Sequence, residues 1–318
     1  MEIKSLTKKK VAIIGGGFVG ASIAYALSIR NTANEIVIID IPQARERVEG
    51  EAMDIQHGIP AYGNAFVRAG DYSDCADADL IVITAGRPRK DGETRLDLAK
   101  GNVQILTSIV NCIKEYYTNA VILLVANPVD VLVQKCAEMM GIENGKIFGA
   151  GTNLDSSRLV AALCNYTGLK NNYIKANMLG EHGESMFAGW STATVNGMPI
   201  DDYMKSVNLP WNDEIKAQIE KDVISKGAQI IKAKGKTHYG IATSVCYIAD
   251  AVLNQVPTVV PVASPFHGEY GINGVSISVP SVVSGQGVEA RLECKFSDAE
   301  MDKLLKSAAT LKAMIDSL

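Results

Sequence analysis

The sequence predicts an α/β protein: a doubly wound parallel sheet, followed by an α+β portion with antiparallel sheet. Three observations predict it. Short apolar runs at Val11–Ile14, Ile36–Ile39, Ala78–Thr84, Val121–Val125 and Ile147–Gly149 have the length of fully buried strands. Helix-forming segments separate these runs, and that alternation builds parallel sheets. After residue 150 the pattern changes to long helical stretches and β-branched runs.

The first unit, KVAIIGGGFVGASIAYALSIRNTANEIVIID, carries the most information. Gly15, Gly17 and Gly20 fall in G-x-G-x-x-G spacing between a strand and a helix. Gly15 suits a tight turn, Gly17 lets the backbone approach a pyrophosphate, and Gly20 lets the helix pack closely on its strand. A pyrophosphate then sits at the positive end of the helix, beside Phe18 and Val19. Asp40 ends the second strand, twenty residues after Gly20. Its carboxylate can accept hydrogen bonds from a ribose 2′-OH and repels a 2′-phosphate, which favours NAD over NADP. A bare glycine-rich turn is the plainer alternative, but strand, helix, strand and terminal acid occur here in the required order. The unit is therefore read as the start of a Rossmann-type NAD-binding domain spanning 1–150, with a catalytic domain at 151–318.

Further along, the segment IPQARERVEGEAMDIQHG reads as a helix whose charges form a solvated face. The run through Thr84 opens at Ala85-Gly86 into a charged loop, RPRKDGETRLDLAKGN. Loops at the carboxyl ends of parallel strands are where ligands bind, so this loop suits a closing lid. A merely solvated loop is the plainer reading. It leads to a helix beginning near Leu96. Val121–Val125 ends in Ala126-Asn127-Pro128, where Asn127 can bridge cofactor and substrate or serve as a turn residue. Leu154 to Arg158 opens a helix, and Tyr173 to Leu179 reads as a strand ending in Gly180-Glu181-His182-Gly183. Strands are expected around Trp190–Val195, Val275–Val279 and Val288–Lys295, and helices over Trp211–Lys234 and Thr237–Leu253. Ser297 and Glu300 have capping-box spacing at the start of the last helix.

Composition excludes several classes. The chain has 318 residues, 47% hydrophobic and 21% charged, with net charge −4, which argues against a nucleic-acid surface or an anionic-membrane patch. No apolar run reaches the ~18 residues that span a bilayer. The basic start, MEIKSLTKKK, reads as a surface tail and not as a signal peptide. Six scattered cysteines without C-x-x-C read as reduced thiols, and four histidines show no metal-ligand spacing, so no metal is expected. A cytoplasmic enzyme fits these features.

His182, flanked by glycines after a strand, suits an exposed general acid–base better than core packing. Such a histidine needs a carboxylate to fix its tautomer, and Asp155 is the candidate. Arg158, one helical turn from Asp155, suits a bidentate clamp for a substrate carboxylate. Arg95, on the charged loop, suits a cation that polarises a carbonyl once water is excluded. Caps and surface charges are the plainer alternative for single Asp and Arg residues at helix starts.

These segments together resemble the L-lactate/malate dehydrogenase family, most closely its lactate branch. The resemblance runs from Lys9 to the C-terminus. It rests on VAIIGGGFVG with Asp40, ITAG, GETRLDL, ANPVD, GTNLDSSR, LGEHG and KGKTHYGIA. It implies that His182 is the proton donor–acceptor and Asp155 its partner. It further implies that Arg158 clamps the substrate carboxylate, Arg95 polarises the carbonyl, and Asn127 contacts nicotinamide ribose and substrate. Thr237 is implied to line the substrate pocket. Thr84, Ala85 and Gly86 join Gly15, Phe18, Val19 and the rest of the fingerprint as cofactor-binding residues. The substrate implied is a small 2-oxo or 2-hydroxy acid, and the assembly a homotetramer or homodimer.

Two departures bear on this. Arg89 falls at the loop position that is normally glutamine in lactate dehydrogenases and arginine in malate dehydrogenases. That residue alone favours oxaloacetate/L-malate, whereas Thr237, Glu181 and GTNLD look lactate-type. The expected substrate pair is pyruvate and L-lactate, with oxaloacetate and malate as the alternative. Second, Val160 and Lys175 occupy the positions where sugar-bisphosphate-activated members carry an arginine and a histidine, so no such activation is expected. A non-catalytic NAD-binding regulator would not need His182, Asp155, Arg158 and Arg95 together. A dehydrogenase for branched 2-hydroxy acids would favour an apolar residue where Arg89 stands.

Overall fold

A computed structural model describes residues 9–89, 92–142 and 145–318. The basic tail through residue 8, and Lys90 and Asp91 of the charged loop, lie outside the described residues. The first half alternates β1 (Lys10–Ile14), α1 (Phe18–Ile29), β2 (Glu35–Ile39), α2 (Arg45–Gly58), β3 (Phe66–Ala69) and β4 (Leu80–Ile83). It continues with α3 (Arg95–Lys114), β5 (Val121–Leu124), α4 (Val129–Met140) and β6 (Ile147–Gly149). These strands pair in parallel in the order β6-β5-β4-β1-β2-β3.

Strands β1, β2, β4 and β5 are buried at every residue, as expected of a parallel sheet covered on both faces. Alternate side chains serve opposite layers. Val11, Ile13, Ile36 and Ile38 pack with α1, α2 and the later helix α8 (Tyr239–Asn254), whereas Ala12, Ile14, Val37 and Ile39 pack with α3 and α4.

The second half contains α5 (Asn153–Thr167), the short strands β7 (Ile174–Lys175), β8 (Met178–Leu179), β9 (Phe187–Ala188), β10 (Thr194–Val195) and β11 (Met198–Pro199), then α6 (Ile200–Ser206) and α7 (Asp213–Lys234). After α8 come β12 (Thr258–His267), β13 (Asn273–Ser284), β14 (Gly287–Arg291) and α9 (Asp298–Asp316).

The long antiparallel strands do not form a separate sheet. β12 pairs with β6 through Ala263 and Gly149, so the sheet continues as β14-β13-β12-β6 across residue 150. β12 was not expected from sequence, because Pro261 and Pro265 interrupt it. Pro261 pairs with Pro280 of β13, and two prolines facing each other occupy a position where neither needs to donate. The single strand expected over Tyr173–Leu179 is instead two: β7 pairs with β10, and β8 with β9. Trp190–Thr192 is a 3₁₀ turn and not a strand, and Trp190 packs edge-on against Trp211 at 5.5 Å.

Candidate active site

The glycine turn shows why three of its positions lack a side chain. Gly15 has φ +108°, a conformation L side chains rarely adopt. A Cβ on Gly20 would lie 1.9 Å from the Gly15 carbonyl oxygen. A Cβ on Gly17 would meet nothing, so the space it leaves faces outward, as the approach of a pyrophosphate requires. Gly17 is also the N-cap of α1 and supplies no side-chain cap, which leaves the first amides of that helix for a ligand. Thr84 Oγ1 donates to the Gly15 carbonyl at 2.7 Å and pins the turn to the end of β4, beside Ala85 and Gly86. Phe18 stands exposed at the start of α1, with the Lys236 ammonium 3.9 Å over its ring.

Asp40 Oδ2 accepts the Gly16 amide at 2.9 Å and pairs with Arg47 at 3.0 Å. Arg47 also donates to the Gly16 carbonyl. The charges of α2 are therefore not simply a solvated face: Arg47 reaches back to the glycine turn and offsets part of the Asp40 charge. The set of uncapped amides, vacant Gly17 face and strand-end acid fits a dinucleotide.

In the second half of the chain, α5 brings Asp155 and Arg158 onto one face. Asp155 is fully buried, with His182 Nδ1 at 2.6 Å on one oxygen and Arg158 Nη1 at 2.7 Å on the other. Burial opposes ionisation of Asp155, but the His182 charge and hydrogen bond, then Arg158, outweigh it and hold the carboxyl below the ordinary range. For His182, burial lowers the pKa, and the Asp155 charge and hydrogen bond, followed by the Asp130 charge, more than reverse that, so it is raised. The His182 side chain keeps 27% exposure, so its ring reaches solvent while Nδ1 is engaged.

Thr237 sits in the turn between α7 and α8. The next residue, His238, contacts Phe18 and bonds Ser22 Oγ at 2.9 Å, and Asn153 of α5 donates to Ser244 Oγ of α8 at 2.9 Å. These links bring the Thr237 turn beside both the nucleotide helix and the start of α5.

The charged loop leads from Arg87 to α3, which begins at Arg95, as expected. Thr94 caps that helix reciprocally with Asp97, a capping box that sequence reading passed over. Arg95 Nη2 pairs with Glu181 at 2.8 Å. Arg89 is exposed and donates from Nε to the Glu93 carbonyl at 2.8 Å. Arg87 pairs with the Glu93 carboxylate at 2.6 Å. Asn102 of α3, buried and also unanticipated, accepts the Arg87 amide at 2.9 Å and donates to the Asn127 carbonyl at 2.6 Å. It thereby ties the root of the loop to Asn127, whose peptide to Pro128 is cis. Asp130, also missed, accepts the main-chain N–H of His182 at 2.9 Å. A lone acid in the first turn of an apolar helix gives no sign of burial in the sequence.

The model for the lactate/malate dehydrogenase NAD-binding domain matches residues 9–149, and that for the family's α/β C-terminal domain matches 152–318. The chain belongs to the lactate/malate dehydrogenase family. Its relatives within this family include an L-lactate dehydrogenase of Pediococcus pentosaceus, 40% identical, the match covering 96% of this chain and 95% of that one. An L-lactate dehydrogenase of Thermoanaerobacterium saccharolyticum is 38% identical over 97% and 99% of the two chains. Among solved structures, the minor L-lactate dehydrogenase of Enterococcus mundtii superposes with a TM-score of 0.94 at 35% identity, covering 98% of each chain. The chain is thus an NAD-dependent hydroxy-acid dehydrogenase of this family. Among the described residues no group of three or more His, Cys, Asp and Glu is placed to hold a metal ion. No described helix is long and apolar enough to cross a membrane.

Proposed function

We propose that this enzyme reduces pyruvate to L-lactate reversibly, and that His182, Asp155, Arg158, Arg95, Asn127 and Thr237 carry the reaction. The observation that supports the assignment of roles is the Arg158–Asp155–His182 row: one buried carboxylate holds both a proton donor and an arginine fork. NADH, when bound, supplies the hydride.

Arg158, fixed by Asp155, presents its guanidinium to the substrate carboxylate, a pairing that suits bidentate recognition. That contact sets the C2 oxygen toward His182. Asp155 fixes the proton-bearing state of Nδ1 and stabilises the imidazolium, so Nε2 is left to give its proton to the C2 oxygen. Arg95, arriving from the loop, polarises the same carbonyl in a site from which water is excluded. Asn127 lies between the cofactor turn and the substrate, and Thr237 walls the pocket. In the reverse direction neutral His182 accepts the hydroxyl proton.

For the substrate, the support is that full-length relatives carry the name L-lactate dehydrogenase, and that Arg89 is turned onto the Glu93 main chain. Facing a methyl group in a closed site, an unpaired arginine costs roughly several kcal/mol. An Arg89 that keeps this bond when the loop closes leaves room for pyruvate. The reading extends to a homo-oligomer, tetramer or dimer, in the cytoplasm.

The test is NADH oxidation on addition of pyruvate by the purified protein and by His182→Gln. Turnover in the first and its loss in the second are expected. A wild type that ignores pyruvate would overturn the assignment.

A further inference from the structure

The His182 loop is held by a second carboxylate that has no place in the scheme above. Asp130 lies in the first turn of α4 and is 1% exposed. One oxygen accepts the main-chain N–H of His182 at 2.9 Å. The other, Oδ1, is buried and has no hydrogen-bond partner among the described residues. A buried carboxylate with half its acceptor capacity unmet is costly, and a neutral side chain could hold one amide more cheaply.

We propose that Asp130 is a positioning residue that holds His182 by its main chain and stabilises its protonated ring electrostatically. Asp155 and Asp130 then flank the histidine, one on the ring and one on the backbone. This rests on the reading of His182 as the proton donor–acceptor.

The charges around Asp130 are consistent with a tuned pair. The loop itself brings His182, which favours the ionised carboxyl, and Glu181, which opposes it. Behind His182 stand Asp155 and Arg158 of α5, and Arg95 of α3 is paired with Glu181. β13 is fastened to the loop through the Gly180–Ser278 bridge, and α9 contributes Ser307 on the Glu181 amide at 2.8 Å. Burial pushes the Asp130 carboxyl up to about 7, with the His182 charge pulling against it. Each charge favours the other, so the two titrations are coupled.

Asparagine separates this role from a purely structural one. In Asp130→Asn the amide oxygen still accepts the His182 N–H, and only the charge is lost. The measurement is the NMR titration of the His182 imidazole in the intact protein, assigned by its loss in His182→Gln. The expected result is a midpoint about one pH unit lower in Asp130→Asn, about a tenfold loss of proton affinity. With pyruvate and NADH, the alkaline limb of kcat/KM should move down by the same amount. An unchanged midpoint in a folded Asp130→Asn overturns the proposal.

If that variant does not fold, wild type labelled with ¹³C at aspartate carboxyls decides, with the Asp155 signal assigned by its loss in Asp155→Asn. A second buried aspartate carboxyl that is ionised while His182 is protonated supports the proposal, and one that stays protonated throughout that range overturns it. Neither titration needs turnover, so failure of the protein to reduce pyruvate would count against the proposed function and leave this result to stand by itself.

Discussion

The Arg95 guanidinium stands 2.8 Å from Glu181, a carboxylate with 2% exposure that also accepts a hydrogen bond from Ser185 at 2.5 Å. A Cβ on Gly183 would lie 2.2 Å from Arg95 Nη2, so the arginine packs over that glycine in this pair. Arg95 is held one residue away from His182, off the ring. To polarise a carbonyl, as proposed, it must exchange Glu181 for substrate, so on that proposal this pair is the resting arrangement. Arg95→Gln is expected to lower kcat for 2-oxo acid reduction by about 10²–10³-fold while leaving the Kd for NADH unchanged. Gly183→Ala should displace the arginine from Glu181 and lower kcat less than Arg95→Gln does, because the guanidinium is still there to reach the substrate. Stopped-flow turnover and NADH fluorescence titration check both.

Asp155→Asn removes the partner of two cations at once. The expected loss in kcat/KM is about 10²–10⁴-fold, the range for general acid–base catalysis. It also carries a stability signature. The folded pKa of Asp155 lies below its unfolded value, so its contribution is fully present above the unfolded pKa and is lost as pH falls through the folded one. The Tm difference between wild type and Asp155→Asn should be largest at neutral pH and shrink below about pH 4.

The raised His182 pKa sets the direction of the pH profiles. With His182 as the proposed proton donor, reduction needs the protonated ring, so its kcat/KM should fall as pH rises through that raised value. Oxidation of the hydroxy acid needs the neutral ring and should rise over the same interval. Initial rates in the two directions, measured across pH in one buffer series, check this, and matching profiles for both would contradict it.

Arg47 beside Asp40 bears on cofactor choice. Asp40→Ala removes the expected acceptor for a ribose hydroxyl and releases an arginine suited to a phosphate. The NADH-to-NADPH ratio of kcat/KM should fall by about tenfold or more, since each such charge-assisted bond is worth about 1.5–3 kcal/mol. Steady-state kinetics with both cofactors decide it.

Much of the fold was legible because buried parallel strands announce themselves as short apolar runs and G-x-G-x-x-G falls between two of them. β12 escaped because its prolines look like breaks until Pro261 is seen opposite Pro280. Tyr173–Leu179 looked continuous because its β-branched and apolar residues carry no mark of a change of partner at Ala176-Asn177. At the candidate site, Asp155, Arg158 and His182 were readable from residue type and local context, and the structure places them in one row. Asp130, Asn102 and the Arg95–Glu181 pair depend on contacts between distant segments, which no local pattern encodes. Arg47 reads as a surface charge in the sequence for the same reason.

The central claim is that Arg89 does not read the substrate and that the enzyme takes pyruvate. It is tested most directly by kcat/KM with NADH for pyruvate and for oxaloacetate, side by side, in wild type and Arg89→Gln. Pyruvate should be preferred in wild type, with little change on substitution. Preference for oxaloacetate that reverses in Arg89→Gln would contradict the claim and make Arg89 the residue that binds a second carboxylate.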